Sequence, residues 1–97
     1  MIREWDLTIK YKGRQHTLKA WLLVHTAWVM QIRVFGSKSS LLLECNYPSR
    51  RASGLLAEKG VIWQILEGDV GVRGTDGINL LLEIYGTLEW ILKQDFP

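Results

Sequence analysis

Residues 67 to 77 read EGDVGVRGTDG, with glycines at 68, 71, 74 and 77 between an apolar run and a helix-forming one. Backbone amides in such a loop, together with the N-terminus of the helix behind it, favour an anion. Gly71, Arg73, Gly74 and Thr75 are the residues that could hold a phosphate or carboxylate there. The stretch fits neither glycine-rich nucleotide pattern, and no lysine follows it to reach a phosphate. Asp69 and Asp76 would repel an anion, so connection between two packed elements is the expected role.

Other reactive side chains are few. His16 and His25 stand on opposite parity of one extended segment, near its two ends, and do not form a metal pair without partners from elsewhere. No metal and no cofactor is expected. The lone Cys45 falls on an apolar register beside Met30, where a thiol behaves as a small hydrophobe rather than a nucleophile. No serine sits in a G-x-S-x-G turn, and Glu44, Glu67, Asp69 and Glu83 show no spacing that pairs them for acid–base work. Arg50-Arg51-Ala52-Ser53 has the form of a basophilic kinase target, a four-residue pattern common by chance. The residue types point away from an enzyme.

Four cations have a different distribution. Lys10, Lys12, Lys19 and Arg33 gather toward one end of a predicted sheet face, where they could meet phosphates while Trp21 or Phe35 stacks a base. The net charge of +2 is small for a polyanion binder, and Glu4, Asp6 and Glu44 share the face.

The elements that would position these residues are legible. Ninety-seven residues, 47% hydrophobic and 23% charged, make one domain of residues 1–97 with a single core. A lone cysteine admits no internal disulfide. No apolar run reaches membrane-spanning length, and Met1-Ile2-Arg3-Glu4-Trp5 lacks the order of a signal peptide, so a cytoplasmic protein without membrane partners is expected.

Trp5, Leu7, Ile9 and Tyr11 alternate with Asp6, Thr8, Lys10 and Lys12, as in a half-buried strand. A Gly13-Arg14 turn pairs Ile9 with Leu18, Leu7 with Ala20 and Trp5 with Leu22. A turn at His25 to Ala27 sets Val24, Leu22, Ala20 and Leu18 against Trp28, Met30, Ile32 and Val34. The Gly36 to Ser39 turn then opposes Val34 to Leu41, Ile32 to Leu43, Met30 to Cys45 and Trp28 to Tyr47.

The expected fold is α+β: an antiparallel four-stranded meander, with Val61 to Leu66 offering a fifth strand. A long C-terminal helix covers one face, capped by Thr75 or Asp76, with Ile78, Leu81, Leu82, Tyr85, Leu88, Ile91 and Leu92 as its buried stripe. A shorter helix runs near 49–59, stopping at Gly60 and burying Ala52, Leu55 and Leu56.

On the opposite sheet face, Trp21, Leu23 and Val29 form an apolar cluster where a solvated sheet should be polar. Either the short helix or the tail with Phe96 covers it, or another molecule does. The reading is a small cytoplasmic, non-enzymatic interaction or assembly module, homodimeric or bound to another protein through that face. A single-stranded nucleic-acid binder using the basic end is the alternative.

Overall fold

The computed structural model describes residues 3–97, apart from the side chains of Ala57 and Lys59; Met1 and Ile2, which entered the reading of the leader, lie outside the described residues. Five antiparallel strands follow one another in sheet order: β1 Arg3–Tyr11, β2 Arg14–His25, β3 Met30–Phe35, β4 Ser40–Cys45 and β5 Trp63–Gly68. Two short helices, α1 Tyr47–Ala52 and α2 Leu56–Lys59, separate β4 from β5, and α3 Gly74–Asp95 closes the chain. The fold is the expected α+β meander, with a fifth strand that runs over Trp63–Gly68, two residues later than the expected Val61 to Leu66.

The first hairpin turns at Lys12-Gly13 rather than Gly13-Arg14, so Leu7 pairs with Leu18, Ile9 with His16 and Trp5 with Ala20. Both turn residues have positive φ, 52° and 75°, as a type I′ turn requires. The difference is a slip of two residues, which leaves every side chain on its own face. Hydrophobic alternation therefore cannot tell the registers apart, and turn geometry decides.

The second hairpin slips by two as well, pairing Ala20 with Val34 and Leu22 with Ile32. A bulge follows between Leu22 and Val24, after which Val24 pairs with Gln31 and His25 with Met30. An extra residue inverts the parity beyond it. Val24 thus leaves the core face it was expected to share, and His25 joins it. Residues Thr26 to Val29 form the turn, where the Thr26 hydroxyl accepts from the amides of Trp28 and Val29 at 3.1 and 3.0 Å. Trp28 sits on that turn, 71% exposed, and Tyr47 is buried on α1, so the expected Trp28–Tyr47 rung does not exist. The β3–β4 register through Val34–Leu41, Ile32–Leu43 and Met30–Cys45 is as expected.

The expected helix of residues 49–59 is two short ones, because Gly54 takes a left-handed φ of 69° between them. Tyr47 carries the burial, Ala52 is exposed, and Leu55 and Leu56 are half-buried. Gly60 ends the second helix at a φ of 63°, as its position after the last turn suggested.

Helix α3 lies antiparallel to β1. At its C-terminal end Asp95 accepts from the Trp5 indole at 2.7 Å and pairs with Arg3 at 3.3 Å; at its N-terminal end Asp76 pairs with Lys12 at 3.1 Å. The other edge strand reaches the same helix through Trp63, whose ring stacks on Tyr85 at 5.1 Å and whose indole donates to Glu89 at 2.8 Å. Contacts from both edges set the helix's rotation. Its buried line is Gly77, Ile84, Leu88 and Leu92, flanked by half-buried Leu80, Leu81, Tyr85 and Ile91. Ile78 and Leu82, expected inside, point to solvent. Arg73 occupies the N-cap position and makes no capping bond, so neither Thr75 nor Asp76 caps the helix.

Candidate interaction surfaces and an end cavity

The sheet's outer face stays open. Trp21, 40% exposed, packs edge-on against Phe35 at 5.0 Å, and Leu23, at the bulge, is 41% exposed. Val29 is half-buried in the adjoining turn, and the bulge adds exposed Val24 to the cluster. The C-terminal tail does not cross this face. Phe96 packs on Trp5 and His25, both on the core side, while Tyr47 donates its hydroxyl to the Phe96 carbonyl and Arg51 donates its Nε to that of Pro97 at 2.6 Å. These bonds keep α1 with the tail on the helix side of the sheet.

The predicted basic end is largely neutralised by carboxylates. Lys19 pairs with Asp6 at 2.6 Å and Glu4 at 3.3 Å, and Arg33 with Glu67 at 2.7 Å while also donating to the Ser40 hydroxyl at 3.0 Å. The bond to Asp6, with a second to Glu4, holds the Lys19 ammonium pKa above its ordinary range. Lys12 turns toward α3, where Asp76 raises its pKa likewise. Among the described residues only Lys10 of the four has no ion-pair partner. Exposed pairs of this kind contribute little stability, but they cancel the positive field that would attract phosphates.

The glycine loop packs against backbone. A Cβ on Gly68 would lie 2.0 Å from the Ser40 carbonyl oxygen, and one on Gly77 would lie 2.2 Å from that of Val72. The Gly71 amide is already taken by the Asp69 carboxylate at 2.7 Å. Gly71, Arg73, Gly74 and Thr75 are all exposed, and of the four Gly71 borders the end cavity described below.

Cys45 is buried beside Met30, and burial pushes its thiol up to about 11 from an ordinary 9, partly offset by hydrogen bonding with the Tyr47 and Met30 backbone. The folded pKa lies above the unfolded one, so the thiol's contribution is intact below pH 9 and is lost as pH rises toward 11. Between pH 8 and 10.5 the native chain should lose about 2 kcal/mol more stability than Cys45→Ala. Urea unfolding of both proteins at the two pH values measures it, and parallel losses would refute the assignment. His16 and His25 both end on the core side, at opposite ends of β2, because of the bulge. No group of three His, Cys, Asp or Glu side chains suited to a metal occurs among the described residues.

Two features escaped the sequence reading. The first is an exposed ridge on α3 at every fourth residue: Ile78 at 61%, Leu82 at 59% and Trp90 at 65%, with Gly86 open between the last two. Spacing of four was visible, but it marks a stripe without saying which way the stripe faces. The second is a cavity of about 300 Å³ at one end of the sheet, bordered by Tyr11, His16, the Gly36–Ser39 turn and the Asp69–Val72 loop. Residues remote in sequence meet there, so no local pattern announces it.

Among the described residues, no helix is long and apolar enough to cross a membrane. Comparisons with protein-family models, with curated proteins and with solved structures found no match.

Proposed function

We propose that the protein is a small, non-enzymatic interaction module of the cytoplasm that assembles as a homodimer through the outer sheet face. The observation carrying this reading is that Trp21, Leu23 and Val24 stay open to solvent although the chain has a helix and a tail that could have covered them. Both are spent on the core side. A half-exposed tryptophan braced by a second aromatic ring, with a polar border of Lys19, Gln31 and Arg33, has the make-up of an interface anchor. The cytoplasmic assignment draws on the single, buried thiol, which suits a reducing compartment.

Solution mass by light scattering tests the reading. A dimer indifferent to salt is expected, and Trp21→Asp should weaken it by roughly 30-fold, the effect of losing a central anchor worth about 2 kcal/mol. Leu82→Asp on the α3 ridge serves as the comparison. A dimer lost there and kept in Trp21→Asp would move the contact to the helix. A monomer that takes up a mixed single-stranded oligonucleotide only at low salt would favour nucleic-acid binding by Lys10, Lys19 and Arg33 instead.

A further inference from the structure

The end cavity has the build of a ligand site. Its interior is aliphatic, with Leu18 and Val34 from the sheet, Val70 from the glycine loop and Leu80 and Ile84 from α3. Its mouth is polar, formed by Ser37, Lys38 and Ser39 of the β3–β4 turn on one side and Asp69 and Gly71 on the other. The volume of about 300 Å³ is at the small end for ligand pockets and holds roughly ten water-sized groups. An unbranched chain of about eight carbons matches that space.

Two observations select the head group. Lys38 forms no ion pair among the described residues, so its charge is available at the mouth, with the Ser37 and Ser39 side chains beside it. Asp69, the one carboxylate on the rim, has an oxygen engaged by the Gly71 amide. An aliphatic interior below such a rim suits an amphiphile with an anionic, accepting head.

We propose that this cavity binds a medium-chain aliphatic monocarboxylate, its chain along Leu18, Val34 and Ile84 and its carboxylate at the mouth with Lys38. The site is separate from the outer sheet face and stands or falls independently of the homodimer. The β5–α3 connection then serves as one wall of a binding site rather than as a phosphate cradle.

Calorimetric titration of the full chain with octanoate, octanol and acetate, alongside amide chemical-shift mapping, tests the proposal. One octanoate per chain should bind saturably, with shifts centred on Gly36 to Leu41 and Asp69 to Val72. Octanol should bind more weakly and acetate not at all. Lys38→Gln, on an exposed turn, should weaken octanoate by about tenfold, the loss of one charge-assisted bond, and leave octanol unchanged. Val70→Trp should fill the cavity and abolish both. Absence of saturable octanoate binding overturns the proposal, and so does octanol binding equal to octanoate or octanoate binding untouched by Lys38→Gln. Retained binding in a folded Val70→Trp protein overturns it too.

Discussion

Gly68→Ala should lower the melting temperature by roughly 15 °C or more, a larger loss than the exposed position of that glycine in the chain would suggest. Two separate causes add. Gly68 has a φ of 81°, a left-handed conformation that costs an L-residue about 1–2 kcal/mol. Its missing Cβ is also the reason β5 can approach β4 at this rung, since that atom would lie 2.0 Å from the Ser40 carbonyl oxygen and 3.1 Å from its carbon. A backbone carbonyl cannot rotate aside as a side chain can. The strand must withdraw, at a cost of about 1–3 kcal/mol for overpacking. Together these amount to about 3 kcal/mol, and a domain of this size shifts by about 4–8 °C per kcal/mol. Gly86→Ala is the matched control, because its Cβ would meet open space on a helix where alanine is favoured by about 1 kcal/mol. It should raise the melting temperature by a few degrees. Equal effects at both positions would show that the glycine loop is not a packing device, and the anion reading of that loop would gain ground.

Leu88→Ala should cost about 2–5 kcal/mol, whereas Leu82→Ala, six residues earlier on the same helix, should change stability by less than about 0.5 kcal/mol. Leu88 is fully buried against the sheet, among the core residues that include Leu7 and Ile32. Its removal deletes buried methyl groups and leaves a cavity that the surrounding strands fill only partly. Leu82 is 59% exposed and surrounded by solvent on the ridge. Chemical denaturation with both variants, held at a concentration where the native chain has one oligomeric state, gives the two values directly. A large loss at Leu82 would mean that the ridge is covered in solution, which would make it, rather than the outer sheet face, the dimer contact.

The same two leucines show why the helix was legible as a helix but not in its rotation. Ile78, Leu81, Leu82, Tyr85 and Leu88 satisfy three-and-four spacing, and so do Gly77, Leu80, Leu81, Ile84 and Leu88. Apolar residues occupy so much of the helix circumference that its pattern accepts several stripes. Contacts made by Trp5, Trp63 and Lys12 select one of them, and those contacts join residues 90, 22 to 26 and 64 positions apart.

The first four strands and their division into core and outer faces follow from local alternation, because the period of two is a property of the extended chain itself, and their order follows from the short turns between them. That is why Leu7, Ala20, Ile32, Leu43 and Cys45 lie in the core as expected, and why Trp21 and Leu23 lie outside it. Registers differing by two residues preserve both faces, so alternation is blind to the choice between Gly13-Arg14 and Lys12-Gly13 turns. The Leu23 bulge is likewise invisible to it, and with the bulge go Val24, His25 and Trp28. The cations Lys10, Lys12, Lys19 and Arg33 were readable as a group, and so were Glu4 and Asp6, which pair with Lys19 on the same face; the partners of Lys12 and Arg33 were not, since Asp76 and Glu67 come from the other half of the chain. The end cavity belongs wholly to tertiary structure. Alternation and spacing are set within a few residues, whereas turn geometry, helix rotation, ion pairing and cavities arise only when segments far apart in sequence compete for the same space.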